Sequence, residues 1–322
     1  MAEYWVSTIV PNWAEYGVGK TNLRLGLEPP LAGGFCNAFK DSNGAWIRSE
    51  IWVCLMPGHP ELAVRYAYQD AIVDHADEGV YAEVFTAALE SAAFVESDYE
   101  ELVHIGLSYI PEDCGVAKAV KLAIECYKSG ITWKEARIRL LNEIPGSFGG
   151  QGRTPNPDNI PQGPWGYDAP SNIGLTIIGW YYGEGDFSRS ICIAAGCGED
   201  GDCTTGTLGS IMGIILGASG LPQKWLEPIG DKIKTCSLNL KSSMIRVPKT
   251  VTELTERTCS LMPAFMIGNF DLYAQGAEIS LNTGADLYDH PIRDWMVKPY
   301  NFTDEYPENF ETFTGENAIM KV

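Results

Sequence analysis

Residues 198–213 read GEDGDCTTGTLGSIMG, and this stretch decides more about the protein than any other. Asp200 and Asp202 stand one residue apart where an apolar helix is expected to begin. Carboxylates so close repel one another, and a hard divalent cation that shares their oxygens removes the repulsion. The competing local reading is that the acids only cap the helix and complement its dipole. Beyond them Gly206, Gly209, Gly213, Gly217 and Gly220 recur at spacings of three or four, so glycine lines one face. Each costs about 1 kcal/mol against alanine in a helix interior. That pattern predicts a central helix that another backbone approaches closely, with the Asp pair opening into a site.

Working outward, helical periodicity dominates. His59-Pro60 opens a run from Glu61 to His75, and further helices are expected over 80–95, 98–109, 112–128 and 132–144. Thr132 with Glu135 three residues on reads as a capping box. Residues 145–169 are rich in Pro and Gly and read as a long loop, of the kind that compact domains reserve for function. Helices resume at 170–183, 186–197, 204–219 and about 222–238, whereas 17–50 reads as loops with short helical pieces. Past Phe265 the pattern is mixed, and AEISL (277–281) suits a strand. The expected fold class is all-α: a compact helical domain over 1–265, with 266–322 a short mixed carboxy-terminal appendage or incomplete second module.

Lys and Arg total 23 against 42 Asp and Glu, a net charge of −19. Such a polyanion is a poor partner for nucleic acid or an acidic membrane surface and a good one for divalent cations. Nine cysteines without framework spacing, five of them (Cys126, Cys192, Cys197, Cys203, Cys236) in or beside apolar helical stretches, read as reduced, buried thiols of a cytoplasmic protein. No basic leader is seen and no window is apolar for the eighteen or so residues of a membrane helix. Other chemistries fit less well. The Asp pair lacks the later EF-hand positions, the cysteines lack zinc spacing, and no HExxH occurs. Gly17-Val-Gly-Lys-Thr21 ends like a phosphate-binding loop but lacks its upstream glycine.

Residues 172–225 (NIGLTIIGWYYGEGDFSRSICIAAGCGEDGDCTTGTLGSIMGIILGASGLPQKW) resemble the carboxy-terminal signature of ADP-ribosylglycohydrolases. Asp41–Arg48 (DSNGAWIR) is similar to that family's Asn-Gly-Ala loop, and Asp70, His75 and Gly79 match its next run, so the resemblance spans roughly 15–240. It implies an orthogonal helix bundle that binds Mg²⁺ in a cleft, with Mn²⁺ suited to the same ligands. The implied reaction is hydrolysis of the glycosidic bond joining ADP-ribose to a protein side chain or a small molecule. By the same resemblance Asp200 and Asp202 ligate the metal, joined by Thr204 or Thr205 if the turn shifts, because Cys203 stands where the family places Thr. Ser42, Asn43 and Gly44 would meet substrate through backbone N–H groups, His75 would contact it, and Trp165 and Tyr167 would wall the adenine. Glu50 and Glu199, beside matched motifs, are the candidate bases. The family's amino-terminal Asp-Asp motif has no counterpart here. An upstream segment or partner chain would then complete the metal site, or the protein is an inactive relative that binds ADP-ribose-like ligands or serves a structural role. A nucleoside or other glycoside in the same cleft is a third reading.

Overall fold

The computed structural model describes residues 2–144, 154–155, 161–162, 166–235, 238, 246–266, 270–272, 279–281 and 286–288. The fold is all-α, as expected. Helices α1 (Ala2–Thr8), α2 (Ala14–Arg24) and α3 (Leu31–Gly34) lead to a 3-10 turn at Trp46–Arg48. Then come α4 (Glu50–Leu55), α5 (Pro60–Ala71), α6 (Glu78–Ala92), α7 (Tyr99–Ser108), α8 (Gly115–Lys128) and α9 (Trp133–Glu143). The second half comprises α10 (Ala169–Gly183), α11 (Phe187–Gly196), α12 (Gly201–Gly220), α13 (Gln223–Ile229) and α14 (Val251–Phe265). Two short antiparallel strand pairs join 154–155 to 161–162 and Phe270–Leu272 to Ile279–Leu281.

Local chemistry explains the helix boundaries. The Thr132–Glu135 capping box forms in both directions. Asp98, Asp168 and Asp186 cap α7, α10 and α11 by accepting backbone N–H groups of the first turn. Asp41 accepts the N–H of Glu78 at the start of α6 (3.2 Å), and Glu78 in turn accepts those of Gly115 and Val116 at the start of α8 (2.7 and 2.9 Å). Helix α13 is shorter than expected because Pro228 interrupts it and Gly230, at φ 66°, ends it. In the region expected to be loops, α2 forms a full helix despite Gly17 and Gly19.

The core is built on α6 and α10. Every residue of α10 and all of α6 except Glu78 are buried. Helix α10 packs against α6, α8, α9, α11 and α12, and α6 against α4, α5, α7 and α8. The expectation that α12 is central is therefore corrected. It buries only Thr204, Thr207, Leu208, Ile211 and Met212. A Cβ added at Gly206, Gly209, Gly213 or Gly217 would meet nothing within 4 Å. Close backbone approach does occur, but one layer away, where α10 meets α11. There a Cβ on Gly179 would lie 2.7 Å from Ala194 Cβ, and one on Gly183 would lie 2.7 Å from Ser190 Cα.

By length and composition alone, α12 is apolar enough to cross a membrane, contrary to the sequence expectation; core helices of other proteins pass the same test. Of the cysteines expected to be buried, Cys126 and Cys197 are, Cys203 is half-buried and Cys192 is exposed, while Cys236 lies outside the described residues. Most of 266–322 also lies outside them, although Tyr109 Oη donates to the carbonyl of Tyr288 (2.8 Å).

The two kinds of glycine should respond oppositely to alanine. Gly183→Ala is expected to cost about 1–3 kcal/mol through overpacking. Gly209→Ala should stabilise by up to about 1 kcal/mol through helix propensity. Urea unfolding of the two variants checks this, and the reverse order would refute the packing described.

Candidate metal centre

Helix α11 ends at Gly196, and the chain then turns through two left-handed residues, Gly198 (φ 70°) and Glu199 (φ 59°). A non-glycine residue in that conformation costs about 1–2 kcal/mol. Arg137 offsets it: its guanidinium lies 3.7 Å from the Glu199 carboxylate and donates to the carbonyl of Cys197. Glu199 is thus tied into the turn rather than presented as a base. The turn delivers Asp200 to the N-cap position of α12, yet its side chain caps nothing. Instead Asp200 Oδ2 accepts Asn43 Nδ2 (2.9 Å), and the Asp200 N–H donates to Asn172 Oδ1 (3.2 Å). The capping explanation of this acid therefore fails.

Ligand atoms of Asp200, Asp202 and Cys203 all lie within 4.8 Å of one another. Burial raises the pKa of Asp200; hydrogen bonds from Asn43 and Cys203 pull it down, while contact with Asp202 raises it further. The Cys203 thiol is pushed up by burial and then by Asp200, so it stays protonated and donates to that carboxylate. The donor set on offer is two hard carboxylates without a thiolate, the oxygen chemistry that hard divalent cations take. Thr205 is half-buried one turn on, and its hydroxyl donates to the carbonyl of Gly201.

The loop at 41–44 lies beside these acids, pinned by the segment entering α10. Ala169 N–H donates to Asp41 O (2.8 Å), and Asn43 N–H to Tyr167 O (3.0 Å). Ser42 N–H is taken by Phe39 O. The backbone donors expected to face substrate at Ser42 and Asn43 are thus spent inside the protein. Asn43 reaches the site through its side chain, which also accepts Trp46 Nε1 (2.8 Å).

His75 is fully buried, between Ser42 Oγ at its Nε2 (3.1 Å) and Asp74 Oδ1 at its Nδ1 (2.7 Å). It supports the loop from beneath, where the expectation was direct substrate contact. Burial would raise Asp74, but Arg48 and then His75 hold it down at about 2. Arg48 also bonds Asp70 (2.8 Å) and the carbonyl of Gly44 (2.8 Å). Tyr167 flanks the site within electrostatic reach of Glu15 and Asp200, whereas Trp165 lies outside the described residues.

Two residues that the sequence did not single out belong to this constellation. Asn172, fully buried, ties the carbonyls of Gly166 and Asp168 to Asp200. Glu15, from α2, presses on the loop: a Cβ at Gly44 would lie 2.1 Å from its Oε1. Only the resemblance of residues 172–225 could have drawn attention to Asn172, and an isolated Glu in a glycine-containing stretch carries no signal. Lys20, of the phosphate-loop-like run, is buried with its ammonium on the carbonyls of Ile9 and Pro11, a structural role.

The site is thus an acid pair that opens one helix of an all-α domain, with Asp200 held by a distant Asn-Gly loop. Residues 2–260 match the ADP-ribosylglycohydrolase family, and the chain belongs to it; its members hydrolyse ADP-ribosyl linkages. No curated protein and no solved structure matches the chain.

Glu50 belongs to a different group of acids. Its Oε1 lies 3.5 Å from Ser210 Oγ, two turns along α12 from Asp202, and it interacts with the fully buried Glu83 and Glu90 of α6. Both oxygens of Glu83, and Oε1 of Glu90, have no hydrogen-bond partner. Burial raises all three carboxyls, Glu50 from 4.5 to about 7. The folded state then holds more protons than the unfolded state above the usual carboxylate range. Stability from these groups is intact below about pH 4.5 and is lost as pH rises through 7. Glu83→Gln removes one such group, so its melting temperature should gain on the parent's as pH climbs from about 5 to 8. Parallel pH profiles for the two proteins would contradict this.

Proposed function

We propose that the chain is a hydrolase that uses a divalent cation, Mg²⁺ or Mn²⁺, held by Asp200 and Asp202, to cleave the glycosidic bond of ADP-ribose from a protein side chain or small molecule. The convergence of those two carboxylates at the head of α12, neither spent on capping, carries the reading. A bound cation supplies charge stabilisation and orientation for the ribose oxygens.

The rest is the work of the chain's own residues. Asn43 holds the Asp200 carboxylate and Asn172 its backbone N–H, so the group needs little reorganisation when ligand arrives. Cys203 keeps its proton and, with Asn43, fills two lone-pair sites of the Asp200 carboxylate, leaving the rest for the cation. Tyr167, beside the acids, offers an aromatic edge against which a base or ribose can pack.

The test is release of ADP-ribose from a modified protein by the purified chain, with Mg²⁺, with Mn²⁺ and with chelator. Asp200→Ala and Asp202→Ala should each lower the rate by at least about 100-fold. Asp202, exposed, should leave the cation-free melting temperature unchanged, while loss of Asp200 should cost about 1–2 kcal/mol because Asn43 loses its acceptor. Cation-dependent binding of ADP-ribose without release would instead establish a non-catalytic binder.

A further inference from the structure

We infer that Glu15 is a third carboxylate of this cation centre, facing Asp200 and Asp202 from α2 across one layer of water. The inference rests on the reading of Asp200 and Asp202 as cation ligands and extends it to a segment of the chain that no motif marks.

Glu15 is 6% exposed, and among the described residues its carboxylate accepts no hydrogen bond and joins no ion pair. Its oxygens are not among the fully sealed, unpartnered polar atoms that Glu83 and Glu90 provide, so water or a hydrated cation can reach them. The side chain is aimed into the site. Its Oε1 occupies the space over Gly44 where any other residue would place a Cβ. Gly44 follows Asn43, which bonds Asp200. Cys203 and Tyr167 each lie within electrostatic reach of both Glu15 and Asp200. Two buried cations of this region are engaged elsewhere: Lys20 on backbone carbonyls, and Arg48 on Asp70, Asp74 and the Gly44 carbonyl.

Glu15 is not part of the tight group formed by Asp200, Asp202 and Cys203, so direct ligation by all the acids at once does not fit. Mg²⁺ retains several of its waters when protein carboxylates bind it. A carboxylate beyond direct reach accepts hydrogen bonds from those waters. That gives the Glu15 oxygens hydrogen-bond donors and draws the cation toward the loop. Gly44 is then required because a side chain there would push Glu15 away.

The test is calorimetric titration of the full chain with MnCl₂ and with MgCl₂, alongside melting temperatures with and without cation. The proteins compared are the parent, Glu15→Gln, Glu15→Asp and Asp202→Ala. The expected result is binding by the parent, affinity 10- to 100-fold lower for Glu15→Gln, partial recovery in Glu15→Asp, and none in Asp202→Ala. Glu15→Gln should melt no lower than the parent without cation and gain less from adding it. Equal affinity of parent and Glu15→Gln overturns the role of Glu15 while leaving the Asp pair standing. Absence of binding by the parent overturns both.

Discussion

Two buried side-chain amides hold the centre together. Asn172 takes the Asp200 N–H while giving its own protons to Gly166 and Asp168, and Asn43 gives a proton to the Asp200 carboxylate while taking one from Trp46. Asn172 is fully buried and Asn43 is 3% exposed, so each has few alternatives in water and a hydrogen bond lost here is not replaced. Their positions make three distant parts of the chain converge: the 41–44 loop, the entry to α10, and the turn into α12. The left-handed turn at Gly198–Glu199 can be tolerated because the convergence over-determines it.

Charge is organised by the same economy. A chain of net charge −19 would be expected to spread its acids over the surface, and it buries several instead. Asp70 and Asp74 share Arg48. Glu50, Glu83 and Glu90 form no ion pair among the described residues, and burial pushes them toward neutrality although Arg48 pulls Glu83 the other way. Asp200 and Asp202 are neither paired with a base nor fully sealed, which is the state a cation can exploit. Three groups of the same residue types thus differ in protonation and purpose because of burial and partners, not composition.

Much of the scaffold was legible from local signals. The Thr132 capping box, the run opening at Pro60 and the apolar periods of α6 to α11 all produce helices close to where the pattern places them. Legibility failed where glycine carried the message. In α2, Gly17 and Gly19 hid a helix; a Cβ at Gly19 would strike Asp74, so that glycine reports tertiary contact rather than a loop. In α12 the glycine stripe suggested contact and Gly206, Gly209, Gly213 and Gly217 face open space, while Gly179 and Gly183 of neighbouring α10 make the contact. Glycine spacing states that a Cβ is missing without stating what, if anything, fills the gap. The proximity of Asp200 and Asp202 was readable because one residue separates them in sequence. The placement of Glu15 was not, because it depends on a neighbour twenty-nine positions away in sequence, Gly44.

The chain of caps running from Asp41 to α6 and from Glu78 to α8 has a mechanical meaning. Asp41 binds the α10 entry through its carbonyl and the head of α6 through its carboxylate, and Glu78 passes the grip to α8. The 41–44 loop is therefore clasped to the first turns of two interior helices. Any pull on that loop is borne by the same fasteners that keep those helices seated, so fraying there and loosening of the interior belong to one cooperative event.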